Sequence, residues 1–178
     1  MEATDPTANS GHGAGSCVIR PAVETDLPAI LAIYNEAVLN QTSIWNDTIV
    51  DLADRQAWWE TRVARGYPVL IAETGTEVTG YAAFGDFRPF HGYRHTVEHS
   101  IYVAPHAWRR GIGRMLLEQL IAEARTRGKH VMIGGIGADN VASLALHARM
   151  GFSETARMPE VGRKFGRWLD LVFVQKTL

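Results

Sequence analysis

Three stretches in the second half of the chain could carry chemistry. The first holds Glu98, set in Thr96-Val-Glu-His-Ser-Ile-Tyr-Val103, whose β-branched and aromatic residues suit a pleated strand. A carboxylate on a half-buried strand is costly unless it is paired or put to use. Burial would raise its pKa from ~4.3 toward neutrality, where it serves as a base. The second is the basic turn Arg109-Arg110-Gly111-Ile112-Gly113-Arg114, which follows Pro105 and leads into a helix. Unpaired N–H groups and the dipole at a helix start favour negative charge. Glycine lets a phosphate approach the backbone, and the arginines add charge around it. The third stretch, Asn140 to Gly151, carries His147, a side chain that titrates near neutral pH. Each has a plainer reading: a solvated glutamate, an ordinary turn before a surface helix, a packed histidine. Only two glycines stand in the turn, which excludes the dinucleotide fingerprint, and the Walker lysine is absent.

The elements that must position these groups follow from patterning. Val18-Ile19-Arg20 reads as a first strand. Thr25 or Asp26 can cap a helix with Pro28 in its first turn and Ile30, Ile33, Tyr34, Ala37 and Val38 as its apolar stripe. After the link Gln41 to Asn46, Asp51 opens a second helix through about Arg65, closed by Gly66. Val69–Ala72 and Val78–Gly85 read as a hairpin around Thr74-Gly-Thr-Glu77, and Thr96–Val103 as the next strand. Ile112, Leu116, Leu120 and Ala124 recur at helical spacing up to Gly128. Val131–Ile136 is a fifth strand, glycine-rich where a ligand or another backbone comes close. Asn140, capping its own helix, leads to Met150. Phe152 to about Met158 and Leu169 to Gln175 are the last strands, and 158–168 reads as an edge hairpin that could cover a site or a partner. The order βααβββαβαββ predicts an α/β (α+β) fold, a mixed sheet with helices on both faces.

Composition narrows the class. With 178 residues, 46% hydrophobic, 21% charged and a net charge of -1, the chain reads as one globular domain without broad nucleic-acid or membrane affinity. The single cysteine, Cys17, rules out an internal disulfide framework and fits a reducing cytoplasm. No Cys/His cluster has zinc spacing, so no metal is expected, and no apolar run approaches the ~18 residues of a membrane span. Residues 1–16 are small and polar and read as a flexible tail; 17–178 form the domain.

Trp108-Arg-Arg-Gly111-Ile-Gly113 resembles the Gln/Arg-x-x-Gly-x-Gly/Ala pyrophosphate loop of the GNAT superfamily of acetyl-CoA-dependent N-acetyltransferases, with Trp108 where Gln or Arg is usual. The resemblance runs from Val18 onward. It implies the mostly antiparallel GNAT sheet, whose fourth and fifth strands splay apart to admit the pantetheine arm. Asn140 to Phe152 resembles the family's Asn-x-x-Ala-x-x-Leu-Tyr-x-x-x-Gly-Phe, with His147 in place of the tyrosine commonly assigned as proton donor to the departing sulfur.

A narrower resemblance covers Gly85–Val103, Thr42–Asn46 and Lys164–Asp170, which are similar to the phosphinothricin and methionine sulfoximine N-acetyltransferases. It implies that Arg88, Pro89, Phe90, Tyr93, Glu98, His99 and Ser100 meet the acceptor. Ile101, Tyr102 and Val103 would then pair with acetyl-pantetheine, while Arg109, Arg110, Gly111, Ile112, Gly113, Arg114 and Asn140 complete the CoA site. The expected reaction is acetylation of the α-amine of a small amino-acid analogue by direct attack in a ternary complex, with Glu98 as base and His147 as acid. Acetyl-CoA is the cosubstrate, and the family tends to form homodimers. Arg88 or Arg94 could clasp an oxyanion, and Trp45, Phe87, Phe90 and Tyr93 could wall a small closed pocket. Another amine acceptor, or a CoA-binding module without turnover, remains open from sequence.

Overall fold

The computed structural model describes residues 16–178. Apart from Ser16, the expected tail lies outside the described residues. The chain runs β1 (Cys17–Pro21), α1 (Leu27–Asn40), α2 (Leu52–Ala64), β2 (Val69–Thr74), β3 (Glu77–Asp86), β4 (Thr96–Val103), α3 (Ile112–Thr126), β5 (Val131–Gly137), α4 (Val141–Arg149), β6 (Ser153–Lys164) and β7 (Arg167–Thr177). That is the expected order, with short 3-10 turns in three of the links.

The seven strands form one sheet in the order β1-β2-β3-β4-β5-β7-β6. Only the β4–β5 pair is parallel, and it joins Thr96, Val97 and Glu98 to Val131, Met132 and Ile133. Beyond Glu98 the two strands part, which is the expected splay. Successive side chains on a strand point to opposite faces, so each strand feeds two cores. Ala82, Phe84, Val97 and Met132 pack with Leu116, Leu117 and Leu120 of α3. On the other face Ile71, Tyr81 and Ala83 pack with Leu27, Ile30 and Ile33 of α1, flanked by Trp58 and Trp59 of α2. Each fully buried Leu, Ile, Val, Phe or Met among them contributes about 1.5–3 kcal/mol.

One local expectation is corrected. Asp26 precedes α1 but makes no side-chain cap. Its carboxylate instead accepts from the Arg20 guanidinium at 2.7 and 3.0 Å and from the Val23 N–H at 2.8 Å, a charged partnership stronger than a cap. Asp51 and Asn140 do cap, accepting from the Asp54 and Ser143 N–H groups at 2.9 and 3.0 Å. The expected edge hairpin at 158–168 forms, with both of its strands longer than the sequence suggested. β6 continues through Lys164, the turn lies at Phe165-Gly166, and β7 begins at Arg167. Pro159 is tolerated because β6 is the edge strand and its pairing is irregular between Met158 and Gly162. Tertiary contacts hold it extended: the buried Lys164 ammonium donates to the Ile44 carbonyl, and Trp45 packs so closely on Gly162 that no side chain would fit there.

Candidate active site

A cleft of about 710 Å³ opens where β4 and β5 separate, bounded by the link after α1, the start of α3, α4 and the β6–β7 turn. One end is the basic turn. Gly111 takes a left-handed φ of 79°, which a glycine adopts freely, and Arg109 one of 62°. The first helical bond of α3 runs from the Met115 N–H to the Gly111 carbonyl at 3.1 Å. The amides of Ile112, Gly113 and Arg114 therefore lack an intrahelical acceptor and form an anion cradle. Ile112 is buried and offers only its backbone; Arg109 and Arg110 are exposed, and Arg114 pairs with Glu118 at 2.8 Å. Asn140 lines the same cleft.

The side wall is β4. The Ala104 N–H reaches the Thr79 carbonyl on β3, so even-numbered residues of β4 turn their backbone groups toward β3. Ile101 and Val103 accordingly turn theirs toward the splay. Trp108 sits here too: its indole N–H donates to the Val103 carbonyl at 2.8 Å while the ring stays half exposed at the cleft. Nothing in the sequence signals this contact.

Glu98 lies at the vertex, in the last β4–β5 pair. Burial pushes its carboxyl above the ordinary glutamate range, and the Arg88 charge pulls the other way. The strand period then places Glu98 and His99 on opposite faces of the sheet. Gly134 and Gly135 of β5 match that split. A Cβ on Gly135 would fall 3.4 Å from Glu98 Oε1, 3.6 Å from Leu171 and 3.7 Å from Phe173. The carboxylate thus looks onto an open spot walled by two apolar side chains absent from the sequence-based site. The glycine doublet was their only signal.

On the other face, the missing Cβ of Gly134 makes room for His99, whose Nε2 would be 2.9 Å from it. His99, expected beside the acceptor, points its ring toward α4. Its Nε2 is 3.2 Å from His147 Nε2, and His147 Nδ1 donates to the Ser143 carbonyl at 2.7 Å. Both rings are buried, and both nitrogens of His147 are engaged within the protein.

The acceptor loop before β4 is only partly gathered. Arg88 stacks over Phe87 at 4.1 Å, and Phe87 meets Tyr93 edge-on at 5.9 Å. Phe90 is 71% and Tyr93 43% exposed, and Pro89 and Arg94 are also exposed. Trp45 packs on Gly162 instead of joining them. Among the described residues the closed aromatic pocket expected from sequence does not form, because none of them packs an element over the turn His91–Tyr93. Ser100 is half-buried on the Glu98 side of β4. Among the described residues no three metal-ligating side chains cluster, and no helix is long and apolar enough to cross a membrane.

Residues 30–152, more than half of the chain, match the model of the acetyltransferase (GNAT) family. The chain belongs to the GNAT acetyltransferase family. It is 56% identical over 164 residues to an L-methionine sulfoximine/L-methionine sulfone acetyltransferase of Pseudomonas aeruginosa, covering 92% of this chain and 95% of that protein. A Salmonella typhimurium acetyltransferase structure, solved with its cofactor acetyl-CoA, superposes with a TM-score of 0.90 at 55% identity, covering 92% of this chain and 95% of that one. A crystal structure of a ribosomal-protein-alanine N-acetyltransferase from Brucella melitensis gives a TM-score of 0.89 at 57% identity, covering 90% and 99%. This GNAT chain is thus an acyltransferase, and its seven-stranded sheet with one short parallel pair is the family's mixed α/β architecture.

Proposed function

We propose that this GNAT enzyme transfers an acetyl group from acetyl-CoA to the α-amine of a small amino-acid analogue such as methionine sulfoximine, methionine sulfone or phosphinothricin, by direct attack in a ternary complex. The observation that carries the reading is a half-buried carboxylate at the vertex of a splay whose far end is an amide cradle. The residues fit the cosubstrate. The amides at 112–114, with Arg109 and Arg110, would hold a diphosphate; Ile101 and Val103 would pair with the pantetheine amides; Asn140 and Tyr102 border the arm. Bound there, acetyl-CoA supplies an activated thioester.

Amines of amino acids are mostly protonated near neutrality, so the acceptor must lose a proton before it attacks. Glu98 is the base for that step, directly or through one water, and its raised pKa brings it nearer the pH at which it works. Arg88 clasps the acceptor's oxyanion, Leu171 and Phe173 face its carbon chain, and Phe90, Tyr93 and Ser100 complete the mouth. The departing thiolate takes its proton from water, and His147, its two nitrogens engaged by Ser143 and His99, borders that side of the cleft. The sulfoximine/sulfone relative named above supports this acceptor class.

The test is thiol release from acetyl-CoA with purified protein and a panel of these amines. Turnover on methionine sulfone or sulfoximine well above that on ordinary amino acids is expected; none on the panel, with acetyl-CoA still bound, overturns the acceptor class. Peptides beginning with alanine belong in the panel. The exposed Phe90 and Tyr93 leave the mouth open, and the Brucella melitensis relative is named for such an acceptor. Gly135→Ala should also separate the two substrates. An added methyl beside Glu98 Oε1 fits the strand without clash but fills the acceptor's place, so kcat/KM for the amine should fall about tenfold, with acetyl-CoA binding unchanged.

The same reading makes the enzyme a cytoplasmic homodimer. Phe165 and Trp168, 55% and 61% exposed, lie with the exposed Val161 on the outer hairpin, apolar side chains suited to a second copy. Light scattering on the purified chain tests it, with a dimer mass expected.

A further inference from the structure

The imidazole pair behind the splay has a definite proton arrangement. A carbonyl oxygen only accepts, so His147 Nδ1, 2.7 Å from the Ser143 carbonyl, must carry hydrogen. Neither ring has a carboxylate partner among the described residues. Burial therefore favours the uncharged forms: the His99 pKa falls to about 3, and that of His147 lies below its ordinary value. A neutral His147 that is protonated on Nδ1 has a bare Nε2. The nitrogen 3.2 Å away, His99 Nε2, must then be the donor, and the rings lie within 6° of parallel.

This leaves His99 Nδ1 as a bare acceptor, and that atom is buried without a hydrogen-bond partner among the described residues. The opposite assignment would bury an unmet N–H, a rarer and costlier state. Two further features hold the pair in place. Gly134 vacates the space His99 occupies, and Phe152 packs edge-on against both rings at 5.7 and 5.1 Å.

We propose that His99 is a positioning residue whose Nε2–H holds His147 in the Nδ1–H form, so that the thiol side of the splay presents a fixed, uncharged imidazole. His147 then stores no excess proton at neutral pH. This deepens the proposed acetyl transfer, and its kinetic part rests on that reading.

Nitrogen-15 NMR of the full-length protein should show His147 protonated on Nδ1 and bare on Nε2, the reverse at His99, and neither ring charged at neutral pH. His99→Leu keeps the bulk and loses the donor; His99→Gln restores a side-chain N–H. The leucine variant should lose about tenfold in kcat with the KM for acetyl-CoA unchanged, and glutamine should recover most of it. A charged or Nε2-protonated His147 in the wild type, or a folded leucine variant with wild-type kcat, overturns the assignment. Should the leucine variant not fold, the wild-type spectrum and the glutamine variant still decide. Wild-type protein inactive on every amine would defeat the acetyl-transfer reading, and the NMR result would stand apart from it.

Discussion

Glu98→Gln should lower kcat by roughly 10²–10⁴-fold while leaving acetyl-CoA affinity nearly unchanged. The amide keeps the size of the carboxylate and its contact near Gly135, so the fold has no reason to change. What is lost is the site that receives the proton of the acceptor. Stopped-flow turnover combined with a binding isotherm for acetyl-CoA separates the two quantities, and an equal loss in both would make Glu98 structural. The pH profile carries the same information. Activity requires the carboxylate form, so it is present above the pKa of Glu98 and lost as pH falls through it. Because burial raises that pKa from 4.5, the acid limb should lie above the ordinary glutamate range. Arg88 works against the rise, so Arg88→Gln should move the limb to still higher pH. A limb that stays in place would mean another group sets it.

Gly134→Ala should damage stability and turnover together. The new Cβ would meet His99 Nε2 at 2.9 Å, His99 Cε1 at 3.2 Å and Val174 at 3.3 Å. The imidazole cannot retreat, being closed in by His147 and Phe152. Overpacking of this kind costs roughly 1–3 kcal/mol, more than alanine gains by restricting the unfolded chain. For a chain of this size that is a fall in Tm of roughly 2–12 °C, read by differential scanning calorimetry. Displacing His99 also releases His147, so kcat should fall in the surviving folded protein. The neighbouring Gly135→Ala, on the opposite face with no contact closer than 3.4 Å, should leave Tm near the wild-type value. The pair of variants thus tests whether the glycine doublet serves two faces separately.

Much of this was legible in the chain itself. Amphipathic periods placed α1, α2 and α3, because a helix must turn one stripe inward whatever it packs against. The anion cradle could be read from Arg109–Arg114, since backbone amides at a glycine turn and helix start need no distant partner. Local caps were less certain: Asp51 and Asn140 behave as their sequences suggest, but Asp26 is drawn away by Arg20.

What depended on the tertiary structure involves residues far apart in sequence. β6 is extended through Pro159 because Lys164 and Gly162 are held by Ile44 and Trp45. His99 pairs with His147 because strand alternation turns it away from Glu98 just where β4 leaves β5. Leu171 and Phe173 reach the base only because β7 lies beside β5. The sequence by itself determined the elements and the anion turn, whose energies are local. The three-dimensional packing alone decided which face each reactive side chain serves, since register and strand order are set by contacts that no short stretch contains.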